Sequence, residues 1–239
     1  MKILVVTHRK HNKFRPKRLP RLGRLHAALS TIQANIKECS VYDLATDDPR
    51  SYDLIFIMGA QQSLSTCYSE EWMYIEAKLI EKIIRYRIPC VGICFGAQHI
   101  AKILGSTVHK LPNIALGLTT VKVSNNSKVL ANINYYTALK FHNDCFEQPP
   151  GSTVHALSAD NMVDIFSYQQ HILAFQSHPE MTPALFTSYW NKCITHQATT
   201  QLKSKILADL YQQQALLDHT ASQIMQNIFK EFVPTTVQM

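Results

Sequence analysis

Short apolar runs alternate with helix-like patterns over the first hundred residues, and this alternation limits the possible folds more than any other feature. Four runs have the length and apolar character of β-strands, namely 2–6, 40–44, 52–59 and 89–93. Between them, apolar residues recur at helical spacing in 20–36, in a segment that starts near 69, and in 95–104. Strands joined by helices form right-handed crossovers. The pattern therefore predicts an α/β fold with an open, mostly parallel sheet flanked by helices.

The character of the sequence changes after Gly105. Short, closely spaced segments rich in β-branched residues follow, at 118–124, 138–144, 153–159, 162–168 and 171–177. Some of them are predicted to pair antiparallel, either extending the sheet or forming a smaller second one. The tail 198–232 is predicted to form two helices broken near Asp218. We therefore expect one domain over 1–197 and a C-terminal helical extension over 198–239 packed on the same domain.

Composition excludes several classes of protein. No run of about 18 apolar residues occurs, so a membrane-spanning helix is not expected. The apolar part of the N-terminus is too short for a signal peptide, so the protein is expected to be cytoplasmic with reduced thiols. The six cysteines form no CxxC pair and no grouping with histidine, so neither a metal nor another cofactor is expected. They are Cys39, Cys67, Cys90, Cys94, Cys145 and Cys193.

One segment carries the basic charge of the chain. Residues 9–24 hold eight Lys or Arg and no acid, whereas the whole chain has a net charge of +7. The rest of the chain is therefore close to neutral. Such a run could contact RNA, a phosphate-bearing ligand or an acidic partner, or it could be a solvated loop. No nucleic-acid-binding motif accompanies it, so nucleic acid is not expected as a partner.

The stretch GICFG, residues 92–96, places two of only seven glycines on either side of a cysteine. A strand that turns abruptly into a helix crowds the backbone around the turn, so Gly92 and Gly96 leave room for Cys94. The thiol would then lie at a helix N-terminus, which favours thiolate. The N–H of Phe95 could donate to an oxyanion. The amide of Gln98, one helical turn on, could reach a bound substrate.

A nucleophile of this kind needs a base, and His178 is the strongest candidate. It follows the apolar strand 171–176, and Pro179 holds it extended. Residues i and i+2 of an extended segment project to the same side, so His178 and Glu180 are expected to point together. A carboxylate in this position fixes the imidazole tautomer and stabilises its protonated form.

Together these motifs resemble those of the class I, triad-type glutamine amidotransferases, especially the branch that contains the amidotransferase domain of GMP synthase. The family motif P-x-x-G-x-C-x-G-x-Q matches 89–98, and its H-P-E motif matches 178–180. The resemblance implies a flavodoxin-like sheet, with Cys94 as nucleophile, His178 as acid and base and Glu180 as orienting residue. It also implies that the strand and glycine loop 52–63 supply a second oxyanion donor at Gly59.

A further segment, 141–151, resembles one common in the GMP-synthase-like branch, and it implies that His142, like Gln98 and Gly96, binds substrate. The sequence departs from the family in places. Many relatives have Gly-Gly-Pro where this chain has Gly59-Ala60-Gln61, so a requirement for φ > 0 at Ala60 would strain the loop. A bulky aromatic residue often stands where this chain has Ser177.

The chemistry implied is hydrolysis of the γ-amide of glutamine through a γ-glutamyl thioester. No synthetase motif is present, so any synthase that accepts the ammonia would be a separate subunit. Two alternatives remain open. The same triad could act on a γ-glutamyl peptide or γ-glutamyl amine, or the chain could be a non-catalytic binding or regulatory protein on this fold. The sequence leaves the oligomeric state undetermined.

Overall fold

A seven-stranded sheet forms the centre of the fold. The structure is a computed structural model, and it describes residues 1–8, 22–30, 34–46, 48–66, 68–124, 128, 130–158, 161–193 and 200–232. The strands are β1 (Lys2–Thr7), β2 (Asn35–Ser40), β3 (Leu54–Ile57), β4 (Cys90–Ile93), β5 (Val108–Lys122), β6 (Tyr135–Phe146), β7 (Ser152–Leu157), β8 (Val163–Tyr168) and β9 (Ile172–Phe175). The helices are α1 (Gly23–Ser30), α2 (Glu71–Tyr86), α3 (Phe95–Ile103), α4 (Pro183–Cys193), α5 (Thr200–Gln212) and α6 (Gln214–Phe232).

The order of strands in the main sheet is β2-β1-β3-β4-β9-β8-β7. The five strands from β2 to β9 pair in parallel, and β8 and β7 extend the sheet antiparallel. Strands β5 and β6 form a separate two-stranded antiparallel sheet. The predicted flavodoxin-like sheet with a smaller antiparallel element is therefore confirmed. The carboxyl ends of β3, β4 and β9 lie side by side, which is where open α/β sheets bind ligands.

Each face of the sheet has its own hydrophobic core. In β1, Ile3 and Val5 pack on the side of α1 and α6, whereas Leu4 and Val6 pack on the side of α2 and α3. This alternation is what a strand covered on both faces produces. Helix α6 belongs to the first core, where Ile224, Met225 and Ile228 are fully buried among residues of α1. The C-terminal tail thus packs on the same core as the N-terminal strand.

A third core joins the small sheet to the C-terminal helices. Leu139 and Phe141 of β6 pack with Phe186 and Trp190 of α4 and with Ile206 of α5. Helices α4 and α5 therefore support β6, the strand that passes beside the predicted nucleophile. Among the described residues, no helix combines the length and apolar character that crossing a bilayer requires.

Two predictions about secondary structure are wrong. Helix α1 is Gly23–Ser30 within the predicted 20–36, of which 20–21 and 31–33 lie outside the described residues and 35–36 belong to β2. The second strand is Asn35–Ser40 rather than 40–44, because residues 41–44 belong to a 3₁₀ helix over Val41–Thr46. Strand β2 lies at the edge of the sheet and its first four residues are not buried, so its sequence lacks the apolar run of a central strand.

The break in the tail lies at Gln213, five residues before the predicted Asp218. Asp218 instead lies within α6, where its exposed carboxylate forms an ion pair with buried Arg24. Arg24 is one of the eight basic residues of segment 9–24, and it is part of the protein interior rather than of a solvated loop. Residues 9–21 of that segment lie outside the described residues.

Candidate active site

Strand β4 ends at Ile93 and helix α3 begins at Phe95, so Cys94 alone makes the turn between them. Its backbone has φ 53° and ψ −107°, a conformation that costs a non-glycine residue about 1–3 kcal/mol. The Cys94 N–H donates to the carbonyl of Phe175 in β9 at 2.7 Å. A strained residue held by its neighbours at the carboxyl end of a parallel strand matches the geometry of a nucleophile elbow.

The two glycines of this turn are required by packing. A Cβ on Gly96 would lie 2.2 Å from the carbonyl oxygen of Ile57, and one on Gly92 would lie 2.6 Å from Cδ1 of Ile100. Both distances are far below normal contact, so α3 can approach β3 and β4 only if these positions lack a side chain. The Cys94 thiol itself is buried and lies 3.9 Å from the carbonyl oxygen of Phe141, within reach of a weak S–H hydrogen bond.

His178 follows β9 and is held by its own backbone, since its N–H donates to the carbonyl of Leu139 at 2.8 Å. Its Nδ1–H donates to Oε1 of Glu180 at 2.7 Å, which leaves Nε2 as the reactive nitrogen. Nε2 is buried and has no hydrogen-bond partner within the described parts of the chain. Burial lowers the pKa of His178, but the Glu180 carboxylate and the Cys94 thiol outweigh it and hold that pKa well above its usual value.

Gly59 lies where the side chains of Cys94 and His178 meet. A Cβ built on Gly59 would lie 3.3 Å from Cε1 of His178 and 3.6 Å from Cβ of Cys94. The structure therefore brings Cys94, His178, Glu180 and Gly59 together, although they come from separate segments of the chain. Phe95 is the first residue of α3, so its N–H has no acceptor within the helix. Ala60 has a negative φ, so the expected strain in this loop does not arise.

The predicted substrate-binding side chains Gln98 and His142 are both buried beside this centre. Nε2 of Gln98 donates to the carbonyl of Asp144 at 2.9 Å and lies 3.3 Å from Oε1 of Gln176, so its amide nitrogen is occupied by protein contacts. Nδ1–H of His142 donates to the same carbonyl at 2.9 Å. Nε2 of His142 therefore carries a lone pair, and this buried atom has no partner in the described structure.

His142 is held in its neutral form. Burial is the main cause that lowers its pKa to about 4, and the nearby charges of His178 and Lys140 act in the same direction. A neutral imidazole with a buried, unpaired Nε2 can accept a hydrogen bond from an N–H donor. Its role in binding substrate stays a prediction.

Asp144 lies in segment 141–151, and the sequence assigns it no role. Its carboxylate accepts hydrogen bonds from both hydroxyls of Ser63 and Ser65 and from the N–H of Ser65, at 2.8–3.1 Å. These contacts tie the loop that follows Gly59 to β6. A serine-rich loop after a glycine is the only local signal, and it does not identify an acceptor 79 residues away.

Ser177, which replaces a bulky aromatic residue of many relatives, forms part of a buried network behind His178. Its hydroxyl lies 3.0 Å from Oδ2 of Asp164 and 3.1 Å from the hydroxyl of Tyr136. Burial raises the pKa of Asp164. Tyr136 is fully buried next to Ser177. The Ser177 hydroxyl therefore has hydrogen-bond partners although it is buried.

None of the described residues form a group of three or more His, Cys, Asp or Glu side chains suited to a metal ion. The groups that this site offers for chemistry are the thiol, the imidazole and the backbone donors around them.

Comparison with known proteins shows which family this chain resembles. The sequence profile described as glutamine amidotransferase class-I matches residues 23–196. Gamma-glutamyl peptidase 2 of Arabidopsis thaliana is 31% identical over 140 residues, which are 56% of each protein. The GMP synthase [glutamine-hydrolyzing] of Alkaliphilus metalliredigens is 34% identical over 104 residues, 42% of this chain and 20% of that protein. The chain thus matches about half the length of the first relative and about a fifth of the second.

Similarity of structure extends further along the chain. A crystal structure of a glutamine amidotransferase from Thermotoga maritima has a TM-score of 0.79 and 19% identity, covering 95% of this chain and 97% of that one. At this level of identity the match shows a shared fold. The profile match spans well over half of the sequence and includes the segments of Cys94, His178 and Glu180. This chain belongs to the class-I glutamine amidotransferase family.

Proposed function

We propose that this protein is a cysteine-dependent hydrolase that cleaves the γ-amide of glutamine through a γ-glutamyl thioester. Cys94 is the nucleophile, His178 the general acid and base, and Glu180 the residue that orients His178. One observation carries the proposal. The His178 imidazole donates to Glu180 at 2.7 Å through Nδ1, and its buried Nε2 is left unpaired. This ring lies beside the thiol of Cys94, which stands on a strained strand-to-helix turn.

The raised pKa of His178 favours an imidazolium, and the attacking species is then the Cys94 thiolate. The thiolate adds to the γ-carbonyl carbon, and the carbonyl oxygen becomes an oxyanion. The N–H groups of Phe95 and of the Gly59 loop stabilise it, with each donor contributing about 3 kcal/mol to the transition state. His178 gives its proton to the departing nitrogen as the C–N bond breaks, releasing ammonia and leaving the thioester.

Water completes the cycle. Neutral His178 takes a proton from a water molecule, whose oxygen attacks the thioester carbon, and glutamate leaves as the C–S bond breaks. Cys39, Cys90, Cys94 and Cys145 are unbridged, as a cytoplasmic setting would keep them. A separate synthase subunit that consumes the ammonia is part of the same proposal.

The alternative substrate is a γ-glutamyl peptide or γ-glutamyl amine. It is favoured by the identity of 31% to gamma-glutamyl peptidase 2. The bonds form and break in the same order, but the leaving group is an amine instead of ammonia. The loop Gly59-Ala60-Gln61, which differs from the Gly-Gly-Pro of many relatives, would serve either substrate.

A panel of three substrates separates these possibilities: glutamine, a γ-glutamyl dipeptide and a γ-glutamyl amine. We expect glutamate release from at least one of them by the wild type and none by Cys94→Ala. Cys90→Ala is the matched control, because Cys90 is a fully buried thiol at the start of β4, the strand that ends just before Cys94. Turnover of the dipeptide without turnover of glutamine would establish the alternative, and a folded wild type that turns over none of the three would refute both.

A further inference from the structure

A buried network of charged and polar side chains reaches the carbonyl of Gly59, and the proposed mechanism does not use it. It begins at His8, which follows β1 and packs its ring against Trp72 of α2 and Phe95 of α3, at centroid distances of 4.8 and 5.2 Å. Phe95 is the residue next to Cys94. His8 is therefore packed between the start of α3 and the helix that follows the Gly59 loop.

Both ring nitrogens of His8 face hydrogen-bond acceptors. Nδ1 lies 3.3 Å from the carbonyl oxygen of Gly59, and Nε2 lies 2.5 Å from Oε2 of Glu76. A carbonyl oxygen can only accept, and an ionised carboxylate can only accept as well. The His8 ring therefore joins the carbonyl of Gly59 to the Glu76 carboxylate, with one ring nitrogen at each acceptor.

Glu76 has no exposed surface, and it is ionised. Burial alone would raise its pKa, but contacts with His8 and His99 reverse the effect and lower the pKa to about 2. Nδ1–H of His99 donates to Oε1 of Glu76 at 2.7 Å. The hydroxyl of Tyr68 donates to Nε2 of His99 at 3.1 Å. The network thus runs from Tyr68 to Gly59 with every proton directed toward an acceptor.

Burying a carboxylate together with an imidazole is an expensive way to fill a core, because both groups lose their hydration. Apolar side chains of similar size would stabilise the fold equally well. What apolar side chains could not do is hold the carbonyl of Gly59 in one direction. The peptide between Gly59 and Ala60 is trans, as are all those described, so fixing its carbonyl also fixes the opposite direction of the Ala60 N–H.

We propose that His8 and Glu76 are positioning residues that clamp the Gly59–Ala60 peptide and so set the oxyanion donors of the loop. This inference rests on the proposed function, in which that loop stabilises the tetrahedral intermediate. It assigns to His8 and Glu76 a role that acts through Gly59, without contact with the substrate. The loop is then fixed at both ends, by the clamp at Gly59 and by Asp144 at Ser63 and Ser65.

The test is the double variant His8→Phe/Glu76→Gln. Phe keeps the ring packing against Trp72 and Phe95, and Gln avoids leaving an unpaired buried charge. We expect kcat to fall about 10- to 100-fold, since loss of a whole oxyanion donor costs about 10²–10³. KM should change less than about threefold, and alkylation of Cys94 by iodoacetamide, which forms no oxyanion, should keep its wild-type rate. Tyr68→Phe, at the far end of the network, is the control and should keep wild-type kcat.

Amide hydrogen exchange over residues 58–62 supplies a readout that does not depend on activity. It should rise in the double variant and stay unchanged in Tyr68→Phe. Unchanged exchange in the folded double variant would overturn the clamp itself. Faster exchange with an unchanged kcat would overturn its link to the oxyanion. A wild type inactive on all three substrates would remove the proposed function and the catalytic half of this inference, while exchange would still decide whether the clamp exists.

Discussion

Replacing Gly96 by alanine adds one methyl group at the tightest point of the site. Its carbon would lie 2.2 Å from the carbonyl oxygen and 2.8 Å from the carbonyl carbon of Ile57, whereas ordinary contacts begin at 3.4 Å. The atoms in the way belong to the backbone of β3, so no side-chain rotation relieves the clash. Either α3 or the end of β3 has to move by about 1 Å.

The cost can be estimated from two opposing effects. Overpacking a core costs about 1–3 kcal/mol, and a rigid backbone neighbour places this case at the upper end. Alanine favours the helical conformation over glycine by about 1 kcal/mol. The net loss of unfolding free energy is then about 2 kcal/mol, which lowers the melting temperature of a chain of this size by about 4–8 °C.

The same shift should reduce activity out of proportion to stability. Ile57 precedes Gly59 by two residues, so displacement of the end of β3 also displaces the Gly59 loop. A misplacement of about 1 Å in a catalytic group can lower the rate about 100-fold. Thermal unfolding and steady-state kinetics, measured well below the melting temperature, report the two effects separately.

Gly105→Ala is the matched control for this variant. Gly105 lies at the opposite end of α3 from Cys94 and has φ +92°. A Cβ there would meet only an ordinary contact, with Cγ of Pro150 at 3.8 Å. The alanine should cost about 1 kcal/mol through backbone strain and leave kcat unchanged. A Gly96→Ala protein with wild-type stability and wild-type kcat would refute the argument that packing at this glycine sets the position of the Gly59 loop.

Two further predictions concern ionisation in the site. In Glu180→Gln the pKa of His178 should fall, because the carboxylate that raises it is gone. The alkaline fall in kcat/KM should then move to lower pH, and kcat should drop at least about 100-fold. An unchanged pH–rate profile would contradict the role of Glu180. In the folded wild type the pKa of His142 is about 4, whereas in an unfolded chain it is near 6.5. Folding stability should therefore be lost as the pH falls from about 6.5 to about 4, by an amount on the order of 3 kcal/mol. Urea unfolding of His142→Gln should show a flatter dependence on pH over that range, and a slope equal to that of the wild type would contradict the burial of a neutral His142.

The parts of the fold that were predictable carry their signal within a few residues. All four residues of β3 are buried, and its apolar run shows this directly. The turn at Cys94 is marked by glycines two residues before and after it, and the pairing of His178 with Glu180 follows from the alternation of an extended segment. Strand β2 could not be found in this way. It has one neighbour in the sheet and three exposed residues, and its few apolar side chains continue the helical spacing of the segment before it.

The network of Glu76, His8 and His99 could not be predicted from the sequence, because it depends on contacts between elements that are distant along the chain. Glu76 lies on the buried face of an amphipathic helix, where an isolated acid gives no indication of its partners. Those partners, His8 and His99, are 68 residues before it and 23 after it. Each residue of the triad-like group is marked by its own neighbours in sequence, whereas the network behind Gly59 exists only once three elements have packed together. The nucleophile and base of such a site can be recognised from local motifs. If the network sets the direction of the oxyanion donors, the rate of the reaction also depends on residues that no motif includes.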